Sequence, residues 1–316
     1  MRISSDPPEV PPRSRGDLFQ VLPQFFHSFP SKGGFSEESR MRRLYGVLPL
    51  PTLPSQLLSL VKTGRVYSLS CPIHANTPHA TTTSPFSRRS NHRHEDFVVD
   101  GPFGEATEIL TMSTHTATHI EALCHISEKI DGRPLLYGDV PAKEAESEAG
   151  FRELGVEQCP PILTRGVLLD IPRSKGLDVL PDSYGITRDD IEACCQTEAV
   201  EIRVGDCVLI RTGFFEYRDR APHRFVTVGA GPTPATCRWL AEKGIVLAGS
   251  DTMTFEQVPG PHLGHLELIR RRGISIIKQA NLEELAADHV YEFLLIVLPL
   301  KLVGATASPV NPIAIC

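Results

Sequence analysis

From Arg165 onward two kinds of segment alternate along the chain. RGVLLDI (165–171), DCVLIRTG (206–213) and GIVLAGSD (244–251) are short, nearly continuous apolar runs bounded by Gly, Asp or Pro. Such runs predict strands buried on both faces, where neither side of the pleat meets water. Between them, TRDDIEACCQ and TPATCRWLAEKG predict helices that open at the N-caps Thr187 and Thr233, and the second closes on a glycine. HLELIRRRG predicts a further helix, GISIIK a strand, NLEELA a short helix, and YEFLLIVLPLKLVGAT a long β-rich close. Upstream, SQLLSLVKTG spaces Leu57, Leu58, Leu60 and Val61 as on one helical face, and RVYSLSCPI reads as a strand. Strands alternating with helices, without an internal repeat, predict a single α/β domain over 54–316.

Residues 1–45 break this pattern. They are rich in Pro, Ser, Gly and Arg, and their one apolar cluster is interrupted by proline, so a flexible extension is expected there. The stretch from Pro72 to Glu95 has loop composition yet is dense in cations: Arg88, Arg89, His92, Arg93 and His94 are candidates to bind a substrate carboxylate or carbonyl, or form a solvated loop.

Composition excludes some roles. A net charge of -6 over 316 residues leaves no electrostatic footprint for nucleic acid. No apolar run reaches the roughly 18 residues of a membrane helix, and the N-terminus lacks a secretory apolar core, so a cytoplasmic protein is expected. The eight cysteines show no C-x-x-C pair and read as reduced core thiols, Cys124 included.

The chemistry gathers in STHTATHIEALCHI, where His115, His119, Glu121 and His125 fall within eleven residues. Imidazole and carboxylate together suit Zn²⁺ or Mn²⁺ better than calcium or a thiolate-bound metal. No single regular element brings the four together. On a helix His115 and His119 oppose Glu121 and His125, and on a strand the four would span about 33 Å. A bend near 117–120 is therefore required, with a turn carrying His115 and His119 and leading into a helix on which Glu121 and His125 share a face. Two histidines and a carboxylate leave positions open for a water, with His125 as general acid or base.

This segment resembles the H-x-G-T-H-x-D-x-x-x-H signature of the cyclase family, which includes bacterial kynurenine formamidases and isatin hydrolases. GRVYSLSCPI, LLYGD, RGVLLDI, VGDCVLIRTG, RWLAEKGIVLAGSDT, HLELIRRRGISII and YEFLLIVLPLKLVGATASPV follow in the family's order over roughly residues 64–315. The resemblance implies an α/β fold with a mixed β-barrel-like core flanked by helices, and a homodimer or higher oligomer. It also implies metal-dependent hydrolysis of an amide, N-formyl or cyclic imide C–N bond in a small molecule, with a cyclase or dehydratase activity as a variant. His115, His119 and Glu121 would be ligands of a divalent metal, and His125 the catalytic acid or base. His265 would bind substrate or a second metal. Asp251, after GIVLAGS, is a candidate acceptor behind a ligand histidine, or a turn former.

Three positions depart from the family pattern. Glu121 replaces an aspartate, and its extra methylene displaces the ion or the backbone by about 1 Å. Ala117 replaces a glycine, which costs on the order of 1 kcal/mol if the bend needs a positive φ. Lys278 stands where the strand GISII should be followed by a metal-binding glutamate, and an ammonium cannot coordinate a cation. Two outcomes stay open. Lys278 pairs with Glu121 and polarises the substrate carbonyl in an enzyme with one Zn or Mn, or the ammonium stands in place of the metal in a binding protein without turnover.

Overall fold

The computed structural model describes residues 55–94, 96, 104–260 and 262–316; the expected extension over 1–45 lies outside them. Nine strands form one sheet, in the spatial order Val66–Ser68, Ile313–Ile315, Glu292–Val297, Ile162–Asp170, Cys207–Arg211, Leu247–Ser250, Ser275–Lys278, His119–Glu121 and Ala307–Pro309. The sheet curls into a half-barrel, the mixed core expected. Its middle four strands, from Ile162–Asp170 to Ser275–Lys278, are parallel, and every flanking strand pairs antiparallel.

The apolar runs account for this centre. Val167, Leu168, Leu169, Val208, Leu209, Ile210, Leu247, Ala248, Ile276 and Ile277 are all buried, as parallel strands covered on both faces must be. Helices Arg188–Glu198 and Pro234–Glu242 return the chain between these strands. Both start where their caps predict, with Thr187 and Asp190 closing a capping box and Thr233 accepting from the backbone N–H of Thr236. Ile191 and Cys194 on the first, with Cys237 and Leu240 on the second, join the core.

Other elements differ from the sequence reading. Helix Ser55–Leu58 is a single turn without a buried residue, Leu57 being half-buried and Leu58 exposed. The long close is a strand only over Glu292–Val297, since Pro299 cannot donate to a ladder; the chain then loops and re-enters the sheet at Ala307. The supposed loop after Pro72 contains a strand, Ser87–His92, paired with Thr107–Thr111 in an exposed hairpin. Among the described residues no helix is long and apolar enough to cross a membrane.

Candidate metal and catalytic site

The histidine segment is bent as its spacing demands, but it is not helical beyond the bend. Ala117 takes φ +56° and ends a turn that begins at Ser113, after which His119–Glu121 is a strand. Thr118 anchors the bend, donating from Oγ1 to the carbonyl of Gln279 (2.6 Å) and accepting from the N–H of Cys71 (3.0 Å). A second turn, closed by the His125 N–H to the Ala122 carbonyl, brings His125 back toward Glu121. The expected helix over Glu121 and His125 is thus corrected. The backbone of 119–121 is claimed laterally by two neighbouring strands, and that pairing replaces i,i+4 bonding.

Strand alternation places the chemistry. Ile120 points into the core, whereas His119 and Glu121 share the opposite face. Lys278 is paired directly across from His119, so its side chain emerges on that same face. It reaches Glu121, with Nζ 2.6 Å from Oε1.

Around the fully buried Glu121 carboxylate stand four imidazoles. Oε1 lies 3.3 Å from His125 Nε2, 3.6 Å from His115 Nδ1 and 3.9 Å from His119 Nε2, and Oε2 lies 3.3 Å from His265 Nε2. One ligand atom each from His115, Glu121 and His125 falls within a 4.8 Å set. His119 is deeper. Its Nδ1 is 2.8 Å from the Ala117 carbonyl, which can only accept, so Nδ1 carries the proton and Nε2 presents a lone pair. His115 is held from behind by Thr306, Nε2 to Oγ1 2.9 Å.

The unpaired atoms of the cluster decide whether a metal fits. His119 Nε2 and both oxygens of Glu121 are buried without an aligned hydrogen-bond partner, Lys278 making a charge contact off the line such a bond requires. Orphaned buried acceptors are costly in a folded protein, and three converging ones are what a cation would satisfy. The residues fit a divalent metal held by nitrogen and oxygen.

The electrostatics agree. Burial alone would raise the Glu121 carboxyl, but Lys278, His265 and His125 overcome it and hold it well below the usual carboxylate range. Burial is the largest influence on both His119 and His125 and favours the neutral imidazole in each, lowering His119 and taking His125 down to about 3. His265 goes the other way: burial and Lys278 oppose its charge, yet Glu121 and Glu256 prevail and raise it. Cys124 is a core thiol, pushed up to about 12 by burial.

Of the remaining candidates, His265 is buried within the cluster rather than exposed at a helix start. Asp251 does not back a histidine. Its carboxylate accepts from the N–H groups of Thr212 and Gly213 and from the Thr212 hydroxyl, closing the turn after Cys207–Arg211. Arg88 pairs across the hairpin with Glu108 at 3.8 Å, and Arg89, Arg93 and His94 are exposed; no described contact carries a substrate role for these four, and His92 lies half-buried beside them. The residue missed from sequence is Glu256, 2.6 Å from His265 Nδ1. In SDTMTFEQVPG it reads as a loop carboxylate, and no spacing links it to a histidine nine residues on.

A curled α/β sheet carrying a buried imidazole and carboxylate cluster at its strand ends defines the class. The family model described as "Putative cyclase" matches residues 67–257, and the chain belongs to the cyclase family. It is 27% identical to a kynurenine formamidase of Paracidovorax citrulli over 78% of this chain and 95% of that protein. It is 38% identical to the kynurenine formamidase of Delftia acidovorans over 106 residues, 34% of this chain and about half (47%) of that relative. A crystal structure of a novel cyclase superposes with a TM-score of 0.76 at 30% identity, covering 87% of this chain and 96% of the other.

Proposed function

We propose that this chain hydrolyses a non-peptide C–N bond, of the amide, N-formyl or cyclic imide kind, with one divalent metal, Zn or Mn, held by His115, His119 and Glu121. The observation that carries the reading is the buried, partnerless lone pair of His119 Nε2 converging with His115 and His125 on Glu121. When bound, the cation supplies Lewis acidity to the substrate carbonyl and to the attacking water.

The chain's own groups do the rest. Neutral His125 takes a proton from the water on Nε2 as the oxygen bonds to the carbonyl carbon, then returns it to the leaving nitrogen as the C–N bond breaks. Lys278 holds a fixed positive charge beside Glu121, against which negative charge gathers on the carbonyl oxygen. The same ammonium stands at Oε1, the oxygen on which His115, His119 and His125 also converge, and its fixed charge opposes the binding of more than one cation there. A homodimer belongs to this reading, supported by Leu298, Leu300 and Val303, exposed in the loop that leads to Thr306.

Metal content and turnover of the purified chain test the proposal together. The expected result is close to one Zn or Mn per chain and hydrolysis of N-formylkynurenine or isatin that a chelator abolishes. A chain that takes up neither ion and leaves both compounds intact would overturn it.

A further inference from the structure

The loop Asp251–Gln257 holds a buried carboxylate for which the reaction above has no use. Glu256 is 3% exposed. Its Oε1 meets His265 Nδ1 at 2.6 Å and His262 Nδ1 at 3.2 Å, while Oε2 accepts from the backbone N–H of His265 at 3.0 Å. One carboxylate therefore grips both the ring and the main chain of the same histidine.

The surroundings are shaped for that grip. Phe255, immediately before Glu256, is fully buried at φ +72°, a conformation a bulky side chain adopts only when its surroundings enforce it. Gly231 lies against this turn, where a Cβ would run into the Phe255 carbonyl and stand 2.6 Å from the Glu256 carbonyl carbon. Gly264 lies on the other side, where a Cβ would overlap Glu256 Oε2 and crowd Cys237 Sγ at 3.0 Å. Two glycines and a strained aromatic thus let the loop and the start of the helix at Leu263 close on each other around a charge. The helix then widens to π geometry over Leu266–Arg270, immediately after His265.

We infer that Glu256 is a positioning residue for the reaction, fixing the proton of His265 on Nδ1 and turning its Nε2 to the Glu121 carboxylate, 3.3 Å away. A carboxylate can only accept, so the nitrogen facing Glu256 carries hydrogen whatever the state of the other. Because Oε2 is held by the backbone N–H of His265, the carboxylate is fixed relative to the ring, and a ring flip would give up the Nδ1–Oε1 bond. His265 is thereby presented to the reacting carbonyl in one orientation, opposite His125 across Glu121. This role rests on the hydrolase reading above.

Glu256→Gln tests it by two routes. By imidazole ¹⁵N NMR, with His265 assigned by its loss in His265→Asn, the wild-type chain shows a protonated Nδ1 slow to exchange, and Glu256→Gln moves that proton or speeds its exchange at least tenfold. This arm needs no turnover, so an inactive wild-type chain with this signature would sink the hydrolase reading and leave the positioning of His265 standing. In hydrolysis of N-formylkynurenine or isatin, whichever the wild-type chain turns over, Glu256→Gln lowers kcat by about 10- to 100-fold with KM within about twofold. The loss vanishes in a His265→Asn background, because a residue acting through another adds nothing once that one is gone. Should Glu256→Gln not fold, Glu256→Asp, which keeps the charge and shortens the reach, is read the same way. An unprotonated Nδ1 in the wild-type chain, or an equal loss of kcat in both backgrounds, would overturn the assignment.

Discussion

Lys278 Nζ stands 2.6 Å from Glu121 Oε1, directly across an antiparallel strand pair from His119. A cation fixed at that point repels a second one, so charge at position 278 sets how many metals the site can hold. Restoring a carboxylate changes the local charge by two units. Metal analysis of Lys278→Glu should therefore find two divalent ions per chain, against the one proposed for the wild-type chain, and an unchanged ratio would refute the charge argument.

His119 offers the deepest donor, with Nδ1 committed to the Ala117 carbonyl and Nε2 unpaired. His119→Ala is expected to lose the metal and at least about 100-fold in kcat. Elemental analysis and turnover read the two losses, and retained metal at wild-type activity would assign the binding to His115, Glu121 and His125 alone.

Ala117 carries the bend at φ +56° while 1% exposed. Relief of about 1–2 kcal/mol of left-handed strain in Ala117→Gly is offset by the greater freedom of an unfolded glycine and the lost burial of a methyl, about 1.5 kcal/mol together. Urea denaturation should find that variant within about 0.5 kcal/mol of wild type. Ala117→Val, β-branched and overpacked, should cost about 2 kcal/mol or more; a neutral valine would show that the bend is unstrained.

Glu198 gives stability a pH dependence outside the site. Burial pushes its carboxyl up to about 7, despite the Asp170 N–H it accepts. Between its ordinary 4.5 and about 7 the folded chain binds the proton that the unfolded chain releases, so stability falls as pH rises through that window and levels off above it. Discounted for partial exposure, the loss is on the order of 1–2 kcal/mol. Glu198→Gln should be more stable than wild type by that amount at pH 8 and similar to it at pH 4, as measured by chemical denaturation across pH. Parallel curves for the two would exclude Glu198 as the source.

Cys124 sits beside His125 but faces the core, with its Sγ 3.7 Å from the Ala305 carbonyl. Cys124→Ala should keep kcat within about twofold while costing about 1 kcal/mol of stability. A loss of turnover beyond tenfold would instead make the thiol a participant.

Local pattern was enough to indicate the frame and most of the residues that gather in the candidate site. Continuous apolar runs at 165–171, 206–213 and 244–251, short and bounded by Gly, Asp or Pro, point to strands covered on both faces, and Thr187 and Thr233 set where the intervening helices begin. The spacing of His115, His119, Glu121 and His125 required a bend near Ala117, because neither a helix nor a strand brings all four to one point. The conformation beyond the bend came from tertiary pairing. A strand of three residues has no periodicity of its own, and only its pairing with Ser275–Lys278 and Ala307–Pro309 makes His119–Glu121 a strand instead of a helix. That same pairing turned Lys278 from an anomaly 157 positions after Glu121 into its contact partner. Glu256 and Asp251 show the limit most plainly. Both are loop carboxylates in one short stretch, and only the packing around Phe255, Gly231 and Gly264 sends Glu256 to a histidine while Asp251 ties down a turn. Local patterns encode backbone propensity and burial; which buried charge meets which is fixed by long-range register and by where glycine lets two backbones approach.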